Sequence, residues 1–384
     1  MGVGCAWSGG GLGGIAQMGF VMTRAQAAAD GAFVTGTMRA VVKAGAGPGV
    51  SFVEDCAAPG APGPGEALVR VRRAGICGTD LGISAWKPFF ARRMKPPVVI
   101  GHEFAGVVEA VGPGVPDHVT VGRRVSGEGH IVTGRDAASL SGMAHVARTM
   151  EIIGIDRDGC FADLIVMPAG NLWMLPRVVS DDHAAIMDAF GNAVHTVMEA
   201  GVSRKSVLVT GVGPIGLMSV QAARMAGASA IFVVDRDRKR LDLAVELGAD
   251  EAFDTGVDGD WATRVIRATK GEGAHVLLEM SGAEALINDG FRALRRGGRA
   301  ALLGLPAGDY PFDWNEHVIF KGATVLGING RRMYDTWLQM DDFFEQAPGM
   351  LEPIVTHAVP LAEVERGMEM MRTGEAVKVV LEVD

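Results

Sequence analysis

Ser206-Val-Leu-Val-Thr-Gly211-Val-Gly213-Pro-Ile-Gly216 is an apolar, β-branched run that stops on a glycine turn and passes into a helical pattern through Met225. The glycines permit a tight turn and let a pyrophosphate approach the helix N-terminus, where free N–H groups and the helix dipole favour negative charge. Asp235 closes the next apolar run, Ala230-Ile-Phe-Val-Val-Asp235, 19 residues after Gly216. A carboxylate at that distance takes the hydroxyls of an adenosine ribose. It also repels a 2′-phosphate, so NAD is expected over NADP, with Arg236 and Arg240 close enough to soften the preference. A GxGxxG alone is weak evidence in a glycine-rich chain; the strand before it and the acidic residue after it make the case.

Outward from this turn the alternation continues. Helical patterns at 238–247, 261–269 and 283–295 are interleaved with the strand-like runs Ala274-His-Val-Leu-Leu-Glu and Arg299-Ala-Ala-Leu-Leu-Gly. Such alternation predicts an α/β unit, a doubly wound parallel sheet covered on both faces. Upstream, from Arg39 to about Pro176, the runs are short and separated by Gly and Pro: Ala67-Leu-Val-Arg-Val-Arg, Val98-Val-Ile-Gly, Gly106-Val-Val-Glu-Ala-Val and Ala162-Asp-Leu-Ile-Val-Met. They predict a β-rich, barrel-like domain. The tail carries a helical pattern at 361–372 and a last strand, Val377-Lys-Val-Val-Leu-Glu-Val. Too short to fold alone, it is expected to dock on the first domain. The division is therefore 38–188 with 341–384 for the β-rich domain and 189–340 for the nucleotide domain. Residues 1–37, small and Gly/Ala-rich, read as a disordered leader or an early start codon.

Bulk properties exclude several classes. The 384 residues suit two domains, and 48% hydrophobic with 21% charged is an ordinary globular balance. A net charge of −9 with scattered cations argues against a nucleic-acid or anionic-membrane partner. No apolar run reaches the ~18 residues that span a bilayer. Four cysteines (Cys5, Cys56, Cys77, Cys160) without close pairs make no disulfide scaffold and point to a reducing, cytosolic setting.

Cys77-Gly-Thr79-Asp80 follows a strand, and Gly101-His102-Glu103 opens another 25 residues later. Cysteine, histidine and carboxylate are the ligand types of a catalytic zinc that keeps one position open. Such an ion polarises an alcohol oxygen and lowers its pKa, so the alcohol can lose its proton near neutral pH and give hydride to a nicotinamide. A lone Cys is more often a small buried hydrophobe and a lone His a structural hydrogen-bonder. Their appearance together beside a dinucleotide turn favours the site.

Cys77-Gly-Thr-Asp with Gly101-His-Glu-Phe-Ala-Gly resembles the zinc-containing medium-chain dehydrogenases. Further stretches resemble the threonine-oxidising branch of that family: Arg124-Val-Ser-Gly-Glu-Gly-His130-Ile, Asp188-Ala-Phe-Gly-Asn-Ala-Val-His-Thr196, Leu278-Glu-Met-Ser-Gly-Ala283, Phe312-Asp-Trp with Val318-Ile-Phe-Lys-Gly322, and Gly327-Ile-Asn-Gly-Arg331 through Trp337. The similarity runs from about Met38 to the C-terminus. It implies a GroES-like β-rich catalytic domain beside a Rossmann NAD-binding domain. Cys77, His102 and Glu103 would be zinc ligands, and Asp188 a fourth ligand or a proton-relay group. Thr79 would pass the alcohol proton towards the cofactor ribose. Gly211, Gly213, Ile215, Gly216, Asp235, Arg240, the turn Leu303-Gly304-Leu305 and Ile328-Asn329 would hold NAD. His130 and Arg331 are the substrate-side candidates, since a guanidinium forks onto a carboxylate such as an amino acid's. The substrate is then a small alcohol, L-threonine first, and a homodimer or homotetramer is expected.

Two positions depart from the family. Its structural zinc is held by four cysteines, whose places here are taken by Thr133, Asp136, Ser139 and Ala147, so one catalytic zinc per chain and no structural zinc are expected. Met143, Val146 and Met150 offer the lobe some apolar surface instead. The relay histidine five residues after the zinc cysteine is replaced by Gly82, with Ser84 and Lys87 near it in sequence. Two alternatives stay open: a polyol, diol or other secondary-alcohol dehydrogenase, and a silent NAD-binding protein.

Overall fold

The computed structural model describes residues 36–384. The expectation for residues 1–37 lies outside these except at Gly36 and Thr37, and Thr37 already belongs to the first strand. The β-rich unit contains β1 (Thr37–Lys43), β2 (Ser51–Ala57), β3 (Glu66–Gly75), β4 (Val98–Val99), β5 (Phe104–Val111), β6 (Arg124–Gly127), β7 (His130–Val132), β8 (Met150–Ile152), β9 (Leu164–Pro168) and β10 (Leu172–Met174). The nucleotide unit contains β11 (Ser206–Thr210), β12 (Ala230–Asp235), β13 (Glu251–Asp254), β14 (Ala274–Glu279), β15 (Leu294–Leu302) and β16 (Thr324–Gly327). Two strands follow, β17 (Val355–Pro360) and β18 (Lys378–Glu382). The helices are α1 (Gly78–Ser84), α2 (Pro88–Arg93), α3 (Ala137–Leu140), α4 (Asp181–Ala185), α5 (Met187–Ala200), α6 (Pro214–Met225), α7 (Arg238–Glu246), α8 (Trp261–Ala268), α9 (Glu284–Ala293), α10 (Asp335–Gln346) and α11 (Val364–Thr373).

β11 shows why the second sheet is parallel and doubly covered. All five of its residues are buried. Val207 and Val209 join a core with Phe190 and Leu217 on one face, while Leu208 joins Phe232, Phe253, Trp261 and Phe291 on the other. A strand buried on both faces has no polar alternation to show. Each such side chain contributes roughly 1.5–3 kcal/mol by leaving water. The strand order β13-β12-β11-β14-β15-β16 is open and all parallel. Its order reverses beside β11, and ligands bind there at the carboxyl ends of the strands.

In the β-rich unit, β3 runs between β5, β9 and β18 in antiparallel register. Its inward residues Val69 and Val71 pack with Val108, Val125 and Ile165. β18 pairs with β3 and, in parallel, with β17, so the end of the chain is laced into this sheet. Two local expectations are corrected. The helix drawn through 295 ends at Ala293, because Leu294 is taken into β15 opposite Ala274. α10 passes unbroken through position 341, so the return to the β-rich unit comes after Gln346.

Candidate active site

β3 ends at Gly75, and the chain turns at Cys77 into α1. The Asp80 carboxylate accepts the Cys77 backbone N–H at 2.8 Å, which fixes the cysteine at the head of the helix. Gly101 has φ +93°, and a Cβ there would lie 2.2 Å from the Phe161 ring. Only glycine makes this turn, and it delivers His102 and Glu103 just before β5. The ligand atoms of Cys77, His102 and Glu103 lie within 4.8 Å of one another.

This group suits a zinc ion. Thiol, imidazole and carboxylate converge, and among the described residues the buried Asp80 Oδ1 and His102 Nδ1 lack hydrogen-bond partners although 3.6 Å apart. Burial disfavours a charged imidazole, but Asp80 and Cys77 outweigh it and hold the His102 pKa well above its usual range. The surroundings therefore favour positive charge at this point. Glu103 is additionally engaged by Lys378, whose Nζ lies 2.7 Å from Oε2 and donates to Oε1 at 2.9 Å.

Asp188, near the start of α5, stands beside the group: its Oδ1 is 3.9 Å from His102 Nε2, and its Oδ2 is ion-paired with Arg331 Nη1. Arg331 is 1% exposed and fully occupied. Nε and Nη2 donate to the two oxygens of Glu128 at 2.9 and 2.5 Å, and Nη1 also donates to the Asp188 carbonyl at 3.1 Å. The guanidinium expected to fork onto a substrate carboxylate faces Glu128 and Asp188. His130 lies against the same carboxylate, Nδ1 at 2.9 Å from Glu128 Oε1. Thr79 sits partly exposed on the first turn of α1.

At the relay position the space is filled. A Cβ at Gly82 would lie 2.5 Å from Cε2 of Phe90, a buried residue of α2.

The residues expected to hold the dinucleotide lie at the carboxyl ends of β11, β12, β15 and β16, with Arg240 on α7. Gly211 has φ +87°, and a Cβ at Gly216 would lie 2.0 Å from the Gly211 carbonyl oxygen. Gly213 faces open space, with Arg240 Nη1 4.0 Å from where its Cβ would be. This cradle fits a pyrophosphate, with a cation at its edge. The Asp235 carboxylate is aimed by backbone donors, Val212 N–H at 2.7 Å on Oδ2 and Arg236 N–H at 2.7 Å on Oδ1. Ile215 is half-buried beside the cradle. The turn Leu303-Gly304-Leu305 is tied to β14 by Leu303 and Gly304 N–H groups donating to the Glu279 carbonyl, and leaves Leu305 90% exposed. Ile328 follows β16, and Asn329 Nδ2 donates to the His145 carbonyl at 3.3 Å.

Sequence reasoning missed Glu128, Trp337 and Lys378. Lys378 is an ionisable residue inside an apolar strand, and Glu128 sits between two glycines in the β6–β7 link; the Arg331 and Trp337 partners of Glu128 and the Glu103 partner of Lys378 are more than 200 positions away. In the lobe where the family has four cysteines, Asp136 caps α3 by accepting the Ser139 N–H at 2.8 Å and takes the Arg148 N–H at 2.7 Å. Ser139 Oγ returns a contact to the Asp136 N–H at 2.9 Å, and Thr133 Oγ1 donates to the Thr149 carbonyl at 3.1 Å.

Residues 63–177 match the alcohol dehydrogenase GroES-like domain and residues 214–346 the zinc-binding dehydrogenase domain. The chain belongs to the zinc-dependent, nicotinamide-linked alcohol dehydrogenases of the medium-chain type. Among its relatives, L-threonine 3-dehydrogenase of Bacillus licheniformis is 40% identical over 346 residues, covering 90% of this chain and 99% of the relative. L-threonine 3-dehydrogenase of Symbiobacterium thermophilum is 42% identical over 350 residues, covering 91% and 98%. The solved alcohol dehydrogenase of Thermus sp. ATN1 superposes with a TM-score of 0.80 at 32% identity, covering 90% of this chain and all of that one.

Proposed function

We propose that this dehydrogenase oxidises the β-hydroxyl of L-threonine, giving 2-amino-3-ketobutyrate and NADH, with one catalytic zinc and no structural zinc per chain. The observation that carries the reading is the convergence of Cys77, His102 and Glu103 in a chain about 40% identical, over about 90% of its length, to L-threonine 3-dehydrogenases. Cys77, His102 and Glu103 would hold the zinc, with Asp188 beside them as the relay group. Zinc supplies Lewis acidity that lowers the pKa of the substrate hydroxyl. Thr79 would take the proton from that hydroxyl, and the Gly211–Gly216 cradle with Asp235, Arg240, Leu303–Leu305, Ile328 and Asn329 would hold NAD, which supplies the hydride acceptor. His130 faces the substrate. Phe90 occupies the space that a basic side chain at position 82 would take, so on this reading the proton leaves through water.

Further parts of the same reading are a cytosolic location and a dimer or tetramer formed by pairing of the edge strand β16. Among the described residues no helix is long and apolar enough to cross a membrane.

A second reading, a diol or polyol dehydrogenase, is favoured by the engagement of Arg331, which leaves no guanidinium donor free for a carboxylate. The two are separated by following NAD reduction with zinc-replete protein on L-threonine, L-serine, 2,3-butanediol, sorbitol and glucose. The threonine reading expects kcat/KM at least tenfold above every other alcohol; a higher value for a diol or polyol would replace it.

A further inference from the structure

Glu128 lies in the short link between β6 and β7 and is 0% exposed. A carboxylate without water must be met by donors on every side. Oε1 accepts from Arg331 Nη2 at 2.5 Å and the His130 backbone N–H at 3.0 Å, with His130 Nδ1 at 2.9 Å. Oε2 accepts from Arg331 Nε and Trp337 Nε1, each at 2.9 Å. Its backbone is held as well, since the Glu128 N–H donates to the Asn171 carbonyl at 2.8 Å and its own carbonyl accepts from Asn171 Nδ2 at 2.9 Å. Burial alone would raise this carboxyl's pKa, but Arg331 and His130 outweigh it and hold it well below the usual range.

The partners are functional in kind. Arg331 turns its remaining face to Asp188, and Asp188 stands 3.9 Å from His102. His130 is the residue proposed above to face the substrate, and the buried Trp337 belongs to α10. A buried ion pair of this sort adds little net stability over apolar groups of the same shape, but it orients what it holds.

We infer that Glu128 is a positioning residue for the dehydrogenase reaction: through a bidentate grip on Arg331 it sets the Asp188 carboxylate against the metal-site histidine, and through Trp337 it ties α10 to the β6–β7 link. This rests on the reading that the alcohol reacts beside Cys77, His102 and Asp188. Without the Glu128 charge, Arg331 is balanced by Asp188 alone and draws that carboxylate away from His102.

The test uses the full-length, zinc-loaded protein and whichever alcohol the wild type turns over fastest, so a wild type inactive on every alcohol condemns the site reading and is told apart from any result on the variants. Glu128→Gln is expected to lower Tm, because Arg331 keeps only Asp188 as a buried counter-ion, and to lower kcat ten- to a hundredfold while KM for NAD and zinc content per folded chain stay near wild type. Glu128→Asp, which keeps the charge, is expected to recover part of that loss. Glu128→Gln combined with Arg331→Met is expected to be no slower than Arg331→Met alone, because the two residues act in series. A Glu128→Gln protein with kcat within threefold of wild type overturns the inference. So does a loss of kcat that tracks loss of zinc or of Tm equally in the Gln and Asp variants. Should Glu128→Gln not fold, Glu128→Asp decides: a fivefold or greater fall in kcat at unchanged Tm and unchanged KM for NAD supports the role, and an unchanged kcat overturns it.

Discussion

The ring of Phe90 occupies the place where a side chain at Gly82 would begin, 2.5 Å from the Cβ that Gly82 lacks. The two residues form one packing unit, so the family's relay histidine cannot be restored by a single change. Gly82→His alone should overpack the site, at about 1–3 kcal/mol, and lower Tm without a gain in rate. Gly82→His with Phe90→Gly should relieve the overlap and raise kcat at neutral pH, the full effect of a positioned base being about 10²–10⁴-fold, with Tm still below wild type because a core phenylalanine is lost. Thermal unfolding and pH–rate profiles of the single and double variants check this. A single Gly82→His variant that is stable and faster would refute it.

Lys378 and Glu103 are both buried and paired. Lys378→Met leaves the Glu103 charge unmatched and should cost about 3–5 kcal/mol; Lys378→Met with Glu103→Gln should recover most of it. Burial lowers the Lys378 pKa, yet Glu103 outweighs this and holds it above its ordinary 10.5. A raised folded-state pKa means the pairing contributes fully below about pH 10.5 and fades as pH rises through the folded value. Urea unfolding at pH 7 and pH 11 should show the wild-type advantage over the double variant shrinking at the higher pH.

His145 is buried against His195, their rings 5.3 Å apart. Burial first, then the neighbouring His195 and His130, push its pKa down to about 4. The unfolded chain then binds a proton that the folded chain refuses between pH 6.5 and 4, so stability is full above 6.5 and falls as pH drops through that window. Tm measured across it should fall less steeply in His145→Gln. Equal slopes would contradict the assignment.

Asp136 holds the lobe through the backbone of Ser139 and Arg148. Asp136→Ala should cost about 0.5–2 kcal/mol, the value of a lost cap, and speed hydrogen exchange at those two amides while kcat stays within twofold. Unchanged exchange would show that the carboxylate does not hold the lobe.

What the sequence shows is set by how local each feature is. The Gly211–Gly216 turn, Asp235 and the Cys77 and His102 segments are legible because each fits within one strand-to-helix or turn-to-strand passage. Glu128 and Arg331 meet across 203 positions, and neither residue's own surroundings announce the other. That is why Arg331 reads as a substrate fork in sequence and as a bridge in the structure. β17 is hidden for a related reason: Val355-Thr-His-Ala-Val-Pro carries two polar residues in its middle and ends on proline, and parallel pairing with β18 makes it a strand. The ring of Phe90 over Gly82 is invisible in sequence, since a glycine does not say what fills the space it leaves.

Zinc held by Cys77, His102 and Glu103 would make this fold an oxidiser of L-threonine. The most direct measurement strips the protein of metal, restores zinc in steps, and follows NAD reduction by L-threonine and by 2,3-butanediol. The expected result is no turnover without metal, activity that saturates at about one zinc per chain, and kcat/KM for threonine at least tenfold the higher. Metal-free turnover, saturation at two zinc ions per chain, or a preference for the diol would contradict it.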